Sequence, residues 1–323
     1  MTSSVQRIGF SKRRLKVVAV FVACCAIAVV WAGFPVFQKY RAIGEIERRG
    51  GSVSGRPGGP EWLRAHLGDR RMRGFDEVFE VYLCGSEVGD ASLLPLANMN
   101  SMNSLHLDGA HITDAGLANL RGMRGLNLLS LARTPITDAG VELLPLSTDL
   151  ASLSLGETRI TDRSLAFVTK LTRLRSLWLG QTQVTDAGLH HLEGLAHLTI
   201  LDLAGTQITD SGLDHLQGLI GLKRLWLDRT AVTGSGLSRL AGMHDLEKLS
   251  LVGTQVGDDG LQHLSGLSRL TELSLDGTPV SDSGLKHLNG LVNLRYLYVR
   301  DTRVTAAGAA ELEQALPQTA VFR

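Results

Sequence analysis

The sequence predicts an α/β solenoid, a horseshoe with parallel strands on its concave face and helices on its convex face, preceded by one transmembrane helix. Three observations carry this reading. A 24-residue unit, typified by Leu201 to Leu219 (LDLAGTQITDSGLDHLQGL), recurs without insertion. Thr134, Thr158, Thr182, Thr206, Thr230, Thr254, Thr278 and Thr302 mark its register, and Ala110 and Ser86 extend it backwards to ten repeats. Units of fixed period stack on one another instead of folding as separate globules. Within each unit, the LxL alternation before the threonine is the period-two mark of a strand with one buried face. Ahead of the repeats, Val17 to Phe37 contains no charged residue.

That run of 21 residues would span about 31 Å as a helix, close to the hydrocarbon thickness of a bilayer. Lys12, Arg13, Arg14 and Lys16 precede it, against Lys39 and Arg41 after it. The bias places residues 1–16 in the cytoplasm and exports everything beyond. Val30 and Ala32 would also suit a cleavable signal peptide cut after Ala32, which exports the repeats equally. Residues 38–60 include GGSVSGRPGGP, a composition expected to form a flexible linker. Residues 61–80 are expected to cap the first repeat, with Pro60 starting a helix whose Trp62, Leu63 and Leu67 share a face. The repeats occupy 81–317, and residues 318–323 place Val321 in strand register as a closing strand.

The repeat divides by position. Leu126, Leu129 and Leu131 before Thr134, and Leu174, Leu177 and Leu179 before Thr182, give the frame LxxLxLxxT. This frame resembles that of leucine-rich repeats, LxxLxLxxNxL, with threonine at the asparagine position. The resemblance implies that the threonine hydroxyl meets backbone groups of the turn. Next come Thr137 and Asp138 and their counterparts, residue types that accept hydrogen bonds from the first turn of a helix. Gly234 and Ala306 replace the aspartate while Thr233 and Thr305 remain, and Gly257 replaces the threonine while Asp258 remains. Each repeat is thus expected to keep a helix cap. Gly116, Gly140, Gly188, Gly212, Gly236, Gly260, Gly284 and Gly308 recur two residues later, with Ser164 in the same place. A small side chain there implies close packing, because glycine costs a helix roughly 1 kcal/mol.

Composition excludes several functions. Lys and Arg total 33 against 32 Asp and Glu, but nine of the bases and only two of the acids lie in residues 1–50. The repeats are therefore mildly acidic and lack the clustered bases that nucleic acid requires. Cys24 and Cys25 sit in the apolar run and Cys84 is alone in the repeats, so no disulfide framework is expected. There is no nucleophile motif, HExxH or CxxC, and no catalytic residue or cofactor is assigned. His191, His215, His263 and His287 form a ladder without the companion ligands of a dedicated site, and no metal is assigned either.

Positions six, four and two residues before each threonine point out of the strand ladder and form columns on the open face. The column at minus four reads Tyr82, His106, Ser130, Ser154, Trp178, Asp202, Trp226, Ser250, Ser274 and Tyr298. Trp178 and Trp226 lie two strands, or roughly 10 Å, apart. Together with Asp202, Arg224, Asp228, Lys248, Glu272, Asp276, Tyr296, Tyr298 and Arg300 they form the candidate binding face. Exposed aromatics among charges are what protein interfaces select.

The TDxGL helix start also resembles the repeats of F-box/leucine-rich repeat proteins, but a membrane segment stands where an F-box would. The whole chain is similar to bacterial membrane-anchored leucine-rich repeat proteins. That resemblance implies an interaction scaffold tethered by its N-terminal helix, with a protein ligand. Recognition of an envelope glycan by the tryptophans, or self-association as a structural envelope protein, are the alternatives.

Overall fold

The computed structural model describes residues 34–85, 87–99, 101–144 and 149–323. Its organising element is one sheet of twelve strands in chain order among the described residues. The strands are β1 (Ser52–Arg56), β2 (Glu77–Tyr82), β3 (Ser104–His106), β4 (Leu128–Ser130), β5 (Ser152–Ser154), β6 (Ser176–Trp178), β7 (Ile200–Asp202), β8 (Arg224–Trp226), β9 (Lys248–Ser250), β10 (Glu272–Ser274), β11 (Tyr296–Tyr298) and β12 (Ala320–Phe322). From β2 onward every pairing is parallel, with partners 24 positions apart such as Leu177↔Leu201. The central leucine of each strand from β3 to β11 is buried in a single core running from Ala42 to Leu316, against which Val321 of β12 packs partly buried. The flanking residues stay on the open face.

Each strand ends in a tight turn. The residue before the marker threonine has positive φ, by glycine at Gly205, Gly253 and Gly277 and by strained residues such as Glu157 (55°) and Arg229 (53°). The buried threonine hydroxyl then donates to the carbonyl three residues back, at 2.5 to 2.7 Å in all eight cases. The far side of each repeat holds short turns of α- or 3-10 helix. Gly212–Leu216 and Gly236–Leu240 are wholly 3-10, and among the described repeats only the C-terminal one carries a helix of ten residues, Ala306–Ala315.

The recurring aspartate does something other than cap its own helix. In eight repeats its carboxylate reaches into the following repeat and accepts from the threonine or serine found 23 residues later, twice over. The backbone N–H donates at 2.7 to 2.9 Å and the hydroxyl at 2.5 to 2.7 Å. Capping within the repeat, where it occurs, falls weakly to the threonine: Thr137 accepts from Ala139 N–H at 3.3 Å and Thr305 from Gly308 N–H at 3.2 Å, whereas Thr113, Thr185 and Gly257 make no side-chain cap, against expectation. The recurring glycine is explained by the same clamp. A Cβ on Gly188 would lie 2.3 Å from the carboxylate of Asp162, and on Gly212 equally close to Asp186. Ser164 is admitted because its hydroxyl donates to that carboxylate, Asp138.

The N-terminal end departs from expectation. Most of the apolar run 17–37 lies outside the described residues. Among the described residues no helix is long and apolar enough to cross a membrane. Residues 34–48 form a helix, α1. The stretch 38–60, expected as a flexible linker, is therefore ordered. Ala42, Ile43 and Ile46 of α1 are buried against the first repeat, and β1 pairs antiparallel with β2. Backbone pairing supplies what the side chains of GGSVSG lack, and Gly51 permits it, since a Cβ there would meet Tyr82 O at 2.6 Å. Helix α2 (Glu61–Leu67) forms as expected but buries no residue fully; Trp62 is 68% exposed. The cap is built from α1 and β1 instead. At the other end, Val321 pairs with Leu297 and β12 adds the last strand.

Three outcomes follow. Asp186→Ala should cost about 2 kcal/mol, since hydrogen bonds to a charged group contribute roughly 1.5 to 3. A double-mutant cycle with Thr209→Ala in chemical denaturation should return about 1 kcal/mol of coupling, and additive effects would break the clamp assignment. Burial by itself would raise Asp138 and Asp210, yet the hydrogen bonds from Ser164 and Thr161, and from Thr233 and Ser235, outweigh it and hold both below the ordinary 3.8. Asp282 is lowered by the Thr305 hydroxyl and N–H. Because these folded pKa values are depressed, their contribution is complete above the unfolded value and is lost as pH falls through the folded ones. Denaturation midpoints measured from neutral pH downward should therefore drop below the ordinary aspartate value; an unchanged midpoint contradicts this. Finally, Ile46→Ala should cost about 2 to 4 kcal/mol, but locally. Hydrogen exchange should speed up in β1 and β2 and not in β9 to β11.

Candidate functional site

The strand ladder fixes where every open-face side chain stands, and the predicted binding residues divide into two groups there. Those toward the C-terminal end are engaged with one another. Lys248 pairs with Glu272 across adjacent strands. Asp276 accepts from Arg300 N–H at 2.6 Å, and the Arg300 guanidinium lies over the Tyr298 ring, 5.8 Å from its centroid. Tyr298 stacks on Phe322 at 4.9 Å, with Tyr296 beside it. Asp228 accepts from Val252 N–H at 2.8 Å and from the Ser250 hydroxyl. Arg224 is exposed and Trp226 half-buried.

Trp178 and Asp202 stand apart from this group. The two tryptophans make no ring contact with each other or with any other described aromatic. Trp178 instead forms one wall of a depression of about 380 Å3 lined by Leu128, Ser130, Ala132, Ser154, Gly156 and Gly180, with His106 at its other end. His106 is held in place by stacking on Tyr82, 4.2 Å between centroids and nearly parallel. The hollow exists because Ser130, Ser152 and Ser154 of β4 and β5, with Ala132, Gly156 and Gly180 of the following turns, are small and stand between His106 of β3 and Trp178 of β6. Glu157, Gln181 and Asp202 complete its lining.

Asp202 accepts from Ala204 N–H at 2.9 Å. Burial raises its carboxyl above the usual carboxylate value, and the nearby charge of Asp228 adds to the effect. Gly180 makes room for it: a Cβ there would lie 2.8 Å from Asp202 Oδ2. The predicted binding face includes Trp178 and Asp202; His106, Ser130 and Ser154 stand in the same column but were not assigned to it, and Glu157 and Gln181 were missed. The signal was present as a run of Ser, Ala and Gly at three successive columns between bulky neighbours.

The histidine ladder does not assemble. His190 packs on His191 at 3.7 Å between centroids, and His215 meets Glu193 at 2.6 Å. Among the described residues no three His, Cys, Asp or Glu side chains converge so as to hold a metal ion.

Comparison with known proteins agrees with this architecture. The Leucine Rich repeat family profile matches residues 194–216 and 242–265. No curated protein matches. Among solved structures, an internalin (inlF) from Listeria monocytogenes superposes with a TM-score of 0.54 at 21% identity, covering 81% of this chain and 86% of that one. Internalin C2 (inlC2) from the same organism superposes with a TM-score of 0.50 at 32% identity, covering 62% of this chain and 80% of that one. The chain belongs to the leucine-rich repeat proteins.

Proposed function

We propose that this chain is a membrane-tethered, non-catalytic scaffold that binds a protein partner through the open face of its sheet. The apolar run Val17 to Phe37 would be the anchor and the basic segment before it the cytoplasmic end, so that the repeats face the cell exterior or periplasm. The observation that carries the binding reading is the depression at Trp178. It combines an unstacked aromatic, a half-buried carboxylate and a floor of small side chains, whereas the charges nearer the C-terminus satisfy one another. Aromatic anchors in a partly enclosed hollow are where interface energy concentrates.

A second reading has support from the same place. Trp178 above the hydroxyls of Ser130, Ser152 and Ser154 would also suit a sugar ring, and an envelope glycan is the alternative ligand.

Proximity labelling in the native cell, comparing the unaltered chain with Trp178→Ala and with a far-side control, His263→Ala, tests the proposal. Trp178→Ala should lose its principal labelled proteins and His263→Ala should keep them. Identical sets for all three would remove the open face from consideration. Binding on a glycan array that Trp178→Ala abolishes would favour the sugar.

A further inference from the structure

We propose that the depression between His106 and Trp178 is a receptor for one lysine or arginine side chain of the protein partner. The inference rests on the open-face reading above and names the chemistry that the face selects.

Charge accounting on the sheet face leads to it. Of the other acids on the face, Glu272 pairs with Lys248 and Asp276 with Arg300. Glu80 accepts from the Tyr82 hydroxyl at 2.9 Å, Asp108 from the Ser130 hydroxyl at 2.5 Å, and Asp228 from the Ser250 hydroxyl and Val252 N–H, whereas Asp202 accepts only from Ala204 N–H, at 2.9 Å. Asp202 and Glu157, both lining the depression, meet no cation among the described residues. The lining also contains no Lys or Arg. A hollow lined by two carboxylates without a cationic partner, and by no Lys or Arg, is complementary to a cation and repels an anion.

The remaining walls suit a long cationic side chain over a bare ion. Leu128 and Ala132 offer apolar surface to a methylene stem, as Lys and Arg stems require. The Trp178 ring, free of other rings, can take the charged head against its face. A volume of about 380 Å3 is at the lower end of ligand pockets, enough for one such side chain and not for a folded element. The raised Asp202 carboxyl fits this picture, since an aspartate held where ionisation is penalised gains most when a cation arrives.

The test uses the full chain in nanodiscs with its four tryptophans labelled at the indole nitrogen, the Trp178 signal being identified by its loss in Trp178→Phe. The probes are acetylated, amidated tripeptides Gly-X-Gly with X as lysine, arginine, norleucine or glutamate. Lysine and arginine probes should shift the Trp178 signal saturably, and norleucine and glutamate should not. Asp202→Asn keeps an acceptor for Ala204 N–H and should weaken the lysine probe about ten-fold or more. The same variant should unfold no earlier than the parent at neutral pH, because it removes a penalised charge, so its loss of binding cannot be laid to misfolding. Equal shifts from norleucine and lysine, or full binding by Asp202→Asn, would overturn the proposal. Partner labelling that survives Asp202→Asn but not Trp178→Ala would overturn it too while leaving the open-face reading intact; labelling that survives both sinks the open-face reading itself.

Discussion

The structure depends on one repeated contact, the carboxylate that clamps each repeat to the next. A three-residue strand contributes little pairing alone, and a repeat of 24 residues cannot bury its own leucines. The Asp clamp fixes the far side of the stack by tying the start of one helical turn to the hydroxyl and N–H of its neighbour. With the leucine core between, the stacking distance is set at both faces. The clamp also favours glycine three residues beyond the threonine, where a Cβ on Gly188 or Gly212 would come within 2.3 Å of the carboxylate; Ser164 is accommodated by donating to it.

The exceptions follow from the same contact. Gly234 has no carboxylate, and the residue it would clamp, 23 positions on, is Gly257 without a hydroxyl. Both halves are missing together, and the two repeats close directly, a Cβ on Gly260 coming 2.5 Å from the Cα of Gly234. Ala306 also lacks the carboxylate.

This explains how the sequence could show the fold so fully and still mislead about the aspartate. In a chain of period 24, a contact at separation 23 has the same pattern as one at separation minus one. Periodicity therefore made Asp138 look like a partner of its own helix when its ligands are Thr161 and Ser164. Only the paired defect at Gly234 and Gly257 broke that degeneracy. The strands, the turn threonines and the outward columns were legible because each is a property of one repeat. The cap was not, since the order of 38–60 comes from backbone pairing with β2 and from Ile46 finding a core, neither of which composition records. At the site, Trp178 and Asp202 could be placed from their column. What distinguishes them from Trp226, Lys248 or Arg300 is which neighbours satisfy one another, and that depends on side-chain geometry across strands.

The centre of the sheet face thus has a character that its ends lack. Toward β11 and β12 the charges and rings are already paired, so a partner would have to break contacts to use them. At β6 and β7 the support beneath is fully packed: Leu153, Leu177 and Leu201 are fully buried, and Leu179 N–H donates to Asp202 O at 2.8 Å. A rigid frame holding an unmatched acid beside an unstacked indole pays its conformational cost at folding and not at binding, which is the condition under which a small hollow can be selective. Natural chains tolerate a penalised group on such a frame mainly where function requires it. By that reasoning the proposed receptor at Asp202 and Glu157, which meet no cation among the described residues, differs from the paired charges beyond it.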